Sequence, residues 1–209
     1  MIQVRDTFQI KFGKIDQAVE WFKRLPEDVL AWPQGKGQYE ILTDLSGDMY
    51  TLVSAVHLDS IGLWETTTAQ LYARAEFQEW YKSFKQYVAD GQRRFYSVEQ
   101  GNAGWSRQGA VVVRSCFRAL EWRVHEAVDL LASYGAMLVD CGVGDRPRIL
   151  TDFSGPMFNV IIEVETLDLK VWDEHRRSMF LDPQFQVWFM KLLTCVSHGS
   201  RDFYSVALH

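Results

Sequence analysis

Cysteine and proline are scarce in this sequence, which has three cysteines and five prolines among 209 residues. Cysteines this few and this far apart, at Cys116, Cys141 and Cys195, exclude a disulfide scaffold and a zinc knuckle. No run approaches the roughly 18 apolar residues of a membrane-spanning helix, so no membrane span is expected. Charged residues such as Arg5 and Asp6 stand where a secretion signal needs an apolar stretch. We therefore expect no signal peptide and a reduced, cytoplasmic location.

The charge balance and the motifs exclude several function classes. A net charge of −5 argues against a nucleic-acid-binding surface. Nucleotide-binding glycine motifs, the serine hydrolase elbow and the His-Glu-x-x-His zinc motif are all missing. The five histidines are too scattered to supply the three or four converging ligands of a metal site. We predict no metal and no cofactor.

The strongest signal in the sequence is an internal duplication. Residues 41–99 align without a gap with residues 149–207 at an offset of 108, and 19 of the 59 positions are identical. Before that segment the halves align at an offset of 109, so the second copy is one residue shorter there. Two copies account for nearly the whole chain. We expect one repeat at residues 1–100, a glycine-containing linker at 101–110 and a second repeat at 111–209.

Each copy predicts the element order βαββαβ. An alternating strand is followed by an amphipathic helix, two strands joined at an Asp-x-Ser-Gly turn, a helical stretch broken in two, and a last strand. Asp182 and Pro183 predict the start of the final helix in copy two. Gly91 and Gly199 are interpreted as helix C-caps, before a last strand at 93–98 in copy one. The order describes two ferredoxin-like α+β units.

Tandem units with FGKIDQAVEWF after the first strand and DPQFQVWF opening the last helix resemble the dimeric α/β-barrel superfamily, and within it NIPSNAP-like proteins. The resemblance implies that two sheets pack as a barrel-type pseudo-dimer with a cavity between them. It covers both halves, and its motifs are mainly packing and turn residues. That superfamily includes small monooxygenases and haem-binding enzymes. This chain departs from the usual arrangement by carrying both units in one polypeptide.

Candidate functional residues lie on the sheet face that the helices leave uncovered. Because strands one and three are neighbours in this fold, arginines of one strand can face glutamates of the next. Positions that differ between the copies, such as His57 against Glu165, are the better functional candidates. Tyr96 and Tyr204, kept in both copies, are predicted to serve packing. The candidate ligand-binding residues are His57, Arg114, Arg118, Asn159, Glu163 and Glu165.

Two interpretations of these charges stay open. They can form cross-strand ion pairs that satisfy one another, which we favour, or they can bind a small ligand. For function, we favour a protein that binds a small apolar or amphipathic molecule, or one that binds a partner protein. The partner can be a second copy of the same chain, which would make the protein a homo-oligomer. The alternative is a cofactor-independent, monooxygenase-like enzyme acting on an apolar organic substrate in the inter-sheet cavity. A haem protein is a third interpretation, with His57 as the axial ligand.

Overall fold

The computed structural model describes residues 1–25, 39–101 and 107–208. Part of the predicted linker, residues 102–106, and residue 209 therefore lie outside the described residues. Within these ranges there are eight strands and six helices. The strands are β1 (Ile2–Ile10), β2 (Tyr39–Asp44), β3 (Thr51–Leu58), β4 (Val88–Gln100), β5 (Val111–Ala119), β6 (Asp145–Asp152), β7 (Asn159–Thr166) and β8 (Val196–Leu208). The helices are α1 (Ile15–Phe22), α2 (Ile61–Ala73), α3 (Ala75–Phe84), α4 (Val124–Asp140), α5 (Leu169–Met179) and α6 (Pro183–Cys195).

The eight strands form one closed antiparallel barrel in the order β1-β3-β2-β8-β5-β7-β6-β4. Each half contributes four neighbouring strands, and the βαββαβ order of both halves is confirmed. The halves join where β2 pairs with β8 and where β4 pairs with β6. Closure leaves no strand edge unpaired, which is how a sheet avoids presenting open backbone groups. The two predicted sheets are thus continuous at both edges.

The shared Ile-Leu-Thr-Asp-x-Ser-Gly motif fastens one half to the other. Its aspartate closes the hairpin locally, since Asp152 Oδ1 accepts a hydrogen bond of 2.6 Å from the Asn159 backbone. Its serine reaches across the junction. Ser154 Oγ accepts from the Phe95 backbone at 2.9 Å, and Ser46 Oγ accepts from the Phe203 backbone at 2.9 Å. The strongest sequence repeat therefore marks the contacts that close the barrel.

The helices cover the outer face of the barrel and bury two aromatic cores, one for each half. Val160, Ile162 and Val164 of β7 pack on the helices, as their alternation predicts. Trp188 on α6 donates from Nε1 to the Leu130 carbonyl on α4 at 2.7 Å. This hydrogen bond joins α6 to α4 and satisfies the buried indole N–H group. No helix of the described part is long and apolar enough to cross a membrane.

The interpretation of Gly91 and Gly199 as helix caps is wrong. The helices end earlier, and both glycines lie inside the last strand of each half, opposite Phe8 and Phe117. A Cβ atom at Gly199 would lie 2.9 Å from the Phe117 ring, and one at Gly91 would lie 3.2 Å from the Phe8 ring. The glycines therefore make room for a phenylalanine on the neighbouring strand, and the last strand begins at Val88 rather than at residue 93.

Candidate functional site: a charged lumen and an aromatic pocket

Charged side chains fill the middle of the barrel lumen in two rows that the duplication relates. In the second half, Arg114, Glu163 and Arg148 stand side by side on β5, β7 and β6. In the first half, the equivalent row is Arg5, Ala55 and Glu40 on β1, β3 and β2. These charged residues expose at most 5% of their surface. The two rows differ at two of their three positions, Glu40 against Arg148 and Ala55 against Glu163.

Glu163 is the centre of this cluster. Its carboxylate accepts hydrogen bonds from Arg114 and, at 3.2 Å, from Arg5, and it forms an ion pair of 3.0 Å with Arg148. Burial alone would raise the pKa of this carboxyl, but the three guanidinium groups outweigh it and hold the pKa well below its usual range. Glu163 is therefore ionised and fully paired. The structure brings it together with Arg114, one of its candidate partners.

Glu40 is the second carboxyl of the cluster, and its environment is opposite. Both of its oxygens are buried and have no hydrogen-bond partner among the described residues. Burial raises its pKa to about 8, while the charge of Arg148 opposes that rise. Glu40 therefore holds a proton at neutral pH. Sequence reasoning missed both Glu40 and Arg148, because it considered strands one and three and left out strand two, on which both residues lie.

Of the other candidate residues, His57 borders this cluster, whereas Glu165, Arg118 and Asn159 have no contact with Glu163 among the described residues. His57 contacts Gln3 and Arg148 through Nε2, each at 3.3 Å. Burial and the nearby Arg148 lower its pKa to about 3, so it is neutral. The interpretation of His57 as an axial haem ligand stays a prediction. Glu165 accepts a hydrogen bond of 3.2 Å from the Arg107 backbone. Arg118 and Asn159 line a cavity at one end of the lumen.

That cavity, here called the luminal cavity, has a volume of about 480 Å³. Arg5 and Arg114 line it, and hydroxyl, amide and carboxylate groups make up much of the remaining wall. Tyr96 and Tyr204 also line it, so these residues serve the lumen as well as packing. Each ring lies beneath a guanidinium of the other half. The Arg114 guanidinium is 5.0 Å from the centroid of the Tyr96 ring, and the Arg5 guanidinium is 5.1 Å from the centroid of the Tyr204 ring. The inter-sheet cavity is therefore polar and charged.

A second cavity lies on the outer face of the first half, between the sheet and its helices. Its volume is about 110 Å³, and it is here called the aromatic pocket. Most of its wall is aromatic, and its polar groups include Asp6, Arg93, Thr68 and Tyr72. The aromatic wall consists of Phe8, Phe22, Tyr39, Trp64, Tyr72, Phe77, Trp80, Tyr81 and Phe84. An apolar pocket with a few polar groups on its wall is the usual form of a small-molecule site.

The polar groups of the aromatic pocket are held in fixed positions. Arg93 donates two hydrogen bonds of 2.6 Å to the two oxygens of Asp6, and its guanidinium lies 4.6 Å from the centroid of the Trp64 ring. Burial opposes the charge of Arg93, but these hydrogen bonds keep its pKa above the ordinary value. Burial also raises the pKa of Tyr72. The hydroxyl of Thr68 is buried and has no hydrogen-bond partner among the described residues.

The second half fills much of the equivalent space. Leu25 lines the aromatic pocket, and its counterpart at an offset of 109 is Tyr134. The Tyr134 ring stacks on Trp188 with centroids 4.6 Å apart and is 3% exposed. Ser115 replaces Asp6 and accepts a hydrogen bond of 2.8 Å from Arg201. Among the described residues, Tyr134 and Ser115 therefore stand at the positions that Leu25 and Asp6 hold beside the aromatic pocket.

The sequence does contain a signal for this pocket. It lies in residues of the helix-covered face, whereas the candidate residues were sought on the uncovered face. Asp6, Trp64 and Arg93 are spread along the chain, and each has a recognisable counterpart in the second half. About half of the residues that line the pocket differ from their counterparts in the second half, among them Leu25 against Tyr134, Asp6 against Ser115 and Thr68 against Arg176. Among the described residues, no group of three or more histidine, cysteine or acidic side chains could hold a metal ion.

Comparison with solved structures identifies the architecture. A candidate monooxygenase from Fusobacterium nucleatum superposes with a TM-score of 0.71 at 12% identity, covering 99% of this chain and 92% of that chain. An anthrone oxidase-like protein gives a TM-score of 0.66 at 15% identity, covering 100% of this chain and 91% of that chain. The chain has the dimeric α/β-barrel fold. At these identities the similarity concerns the fold alone.

Some solved structures match only one half of this chain. A NIPSNAP domain protein from Burkholderia xenovorans matches 46% of this chain and 91% of its own length, at 16% identity and a TM-score of 0.41. No protein-family model matches this chain, and no curated protein matches it.

Proposed function

We propose that the protein binds a small, single-ring aromatic molecule in the aromatic pocket of its first half. The observation that carries this proposal is the pocket itself, with its aromatic wall and the paired Asp6 and Arg93 among the lining residues. A packed core seldom leaves such a void beside polar groups, since unfilled volume costs stability. The filled counterpart at Tyr134 supports the interpretation that the void has a use.

Size and chemistry together define the ligand class. The pocket measures about 110 Å³, and an engineered cavity of about 150 Å³ accommodates benzene. One ring fits with small side-chain movements, whereas a fused polycyclic molecule would need larger ones. The buried Thr68 hydroxyl and the Asp6 carboxylate can both hydrogen-bond a hydroxyl group on that ring. A phenol is therefore the simplest ligand of this class.

Titration calorimetry with phenol tests the proposal. Wild-type protein should bind phenol, and Leu25→Tyr should weaken binding by at least about tenfold, equivalent to about 1.4 kcal/mol, because the new ring occupies the pocket. The reciprocal variant Tyr134→Leu is the matched control and should bind phenol at least as well as wild type. Equal phenol affinity in wild type and in a folded Leu25→Tyr variant would refute the proposal, as would absence of binding to the folded wild type.

A second candidate function is oxidation of the bound phenol by O₂ without a cofactor. The pairing of Asp6 with Arg93 favours it, since a carboxylate can accept the phenolic proton and a guanidinium can stabilise the phenolate. A phenolate transfers electrons to O₂ more readily than a neutral phenol does. The whole-chain similarity to a candidate monooxygenase and to an anthrone oxidase-like protein is compatible with this chemistry.

Oxygen consumption with hydroquinone separates oxidation from binding alone. In this reaction hydroquinone loses two electrons and two protons to O₂, which gives benzoquinone and hydrogen peroxide. An enzyme should consume O₂ faster than the buffer does, and Arg93→Gln and Leu25→Tyr should each return the rate to the buffer level. If wild type consumes O₂ no faster than buffer while phenol still binds, the protein is a binding protein only.

We also propose a cytoplasmic location. Cys116, Cys141 and Cys195 are all free thiols, and a reducing compartment keeps thiols in that form.

A further inference from the structure

The luminal cavity contains a pseudo-symmetric pair of buried cations. Arg5 and Arg114 are equivalent positions of the two halves, and they are 4% and 5% exposed. Both line the cavity and both contact Glu163. One carboxylate thus serves two lumen-facing arginines in addition to Arg148. A single buried anion leaves this group of guanidiniums with an excess of positive charge.

The neighbouring strands break the symmetry of this pair. Arg114 stands opposite Asp202 in the pairing of β5 with β8, so its charge has a complementary neighbour. At the equivalent place in the first half, Arg5 stands opposite Arg94 in the pairing of β1 with β4. Both Arg94 and Asp202 line the luminal cavity. Like charges directly opposite in a sheet destabilise it, so the first half carries an electrostatic cost that the second half avoids.

Hydrogen-bonding capacity remains unused at the same place. Within the described part of the chain, Arg94 forms no ion pair, and the buried Nη2 atom of Arg5 has no hydrogen-bond partner. The next cross-strand pair toward the cavity is Thr7 with Gln92, and both side chains line it. The equivalent pair in the second half is Cys116 with Ser200, which offers weaker donors. Each half contributes two arginines to the cavity wall, but of the four only Arg5 and Arg94 stand opposite each other in a strand pair.

We propose that the luminal cavity binds a small organic carboxylate, with its carboxylate group between Arg5 and Arg94. Guanidinium groups match the planar carboxylate and form charge-assisted hydrogen bonds with it. Such an anion removes the repulsion between the two arginines and satisfies Arg5. The cavity of about 480 Å³ leaves room for the organic part beyond the carboxylate. This site is separate from the aromatic pocket, since Arg94 faces the lumen while Arg93, its neighbour in sequence, faces outward.

Calorimetric titration with benzoate tests the luminal site. Wild type should bind benzoate, and Arg94→Gln should weaken binding by at least about tenfold. Asp202→Asn, at the equivalent position of the second half, is the matched control and should bind benzoate as tightly as wild type or more tightly, because it removes a negative charge from the cavity. Without ligand, Arg94→Gln should melt at or above the wild-type temperature, since it relieves the repulsion with Arg5.

Two further comparisons make the result specific. Leu25→Tyr should leave benzoate binding intact, and Arg94→Gln should leave phenol binding intact, so failure of either site is recognised independently of the other. Benzoate affinity that is unchanged in Arg94→Gln, or lost in Leu25→Tyr, would overturn the luminal assignment. Absence of benzoate binding to folded wild type would overturn it too, as would tighter binding of inorganic phosphate than of benzoate.

Discussion

Glu163 is the carboxylate that pairs with the buried arginines of the lumen, and the stability of the protein should depend on it. It pairs with Arg5, Arg114 and Arg148, and all four side chains are nearly inaccessible to solvent. Replacing one member of a buried ion pair leaves the remaining charge unpaired and costs about 3–5 kcal/mol. We therefore expect Glu163→Gln to lower the free energy of unfolding by about that amount in chemical denaturation.

The matched control for this prediction is the solvent-exposed ion pair of Glu126 with Arg123. Glu126→Gln should leave stability within the error of the measurement, because exposed pairs contribute little. If Glu163→Gln is as stable as Glu126→Gln, the guanidinium groups do not depend on this carboxylate.

Glu40 predicts a pH dependence with a definite sign. Its pKa is raised to about 8 in the folded protein, so between its ordinary value of 4.5 and 8 the folded state binds more protons than the unfolded state. The contribution of Glu40 to stability should therefore fall as pH rises through this range and is lost above pH 8. His57, with its pKa lowered to about 3 from 6.5, gives the opposite slope below pH 6.5.

The interval from pH 6.5 to 8 isolates Glu40. Over this interval the wild type should lose stability relative to Glu40→Gln, which keeps the shape of the side chain and cannot ionise. Denaturation at several pH values measures the difference. Parallel curves for the two proteins would show that Glu40 does not titrate there.

The sequence could predict part of this cluster. Alternation along the strands and the neighbouring positions of strands one and three place Arg114 beside Glu163, and the structure has them in contact. Glu40 and Arg148 could not be placed, because they reach the cluster through strand two of each half, whose register depends on the hairpin turn. The aromatic pocket was missed for a different reason. It lies on the helix-covered face, where an aromatic residue is ordinarily interpreted as core.

At the scale of single elements, the tryptophans of the last helices should matter most for stability. Trp80 and Trp188 are 9% and 8% exposed, and their indole N–H groups donate to carbonyls of a neighbouring helix at 3.0 and 2.7 Å. Trp188→Ala and Trp80→Ala should each cost about 3–5 kcal/mol in thermal or chemical unfolding. Trp122, which is 93% exposed, is the control, and Trp122→Ala should be close to neutral. A cost below about 1 kcal/mol at both buried positions would contradict the packing described.

Element types were predictable where the sequence pattern is local. The break between the two helices of the second helical segment was expected, and Asp182 caps α6 by accepting from the Gln184 backbone at 2.8 Å. The glycines in the last strands were misinterpreted because glycine after a helix resembles a C-cap. Glycine is needed at these two positions because the rings of Phe8 and Phe117, on the neighbouring strand, leave no room for a Cβ atom. A local pattern does not reveal a close approach between distant segments.

At the scale of the whole molecule, the barrel requires both halves. Strand β2 finds its second neighbour only in β8, and β4 finds its second neighbour only in β6. We propose the division into repeats at 1–100 and 111–209 joined by a linker. The linker makes the encounter of the halves intramolecular and raises their effective concentration.

Residues 1–100 expressed alone should therefore dimerise through the exposed edges of β2 and β4 or fail to fold, as measured by light scattering and circular dichroism. A folded, monomeric fragment would show that one half is self-sufficient.

The two halves share one barrel, and we propose that, among the described residues, only the first half keeps a pocket open to an aromatic molecule. A crystal structure of the protein with bound phenol tests it most directly. We predict density for one ring between the sheet and the helices of the first half, beside Arg93 and Leu25, and none beside Tyr134 in the second half. Phenol density confined to the lumen, or equal density in both halves, would contradict the account.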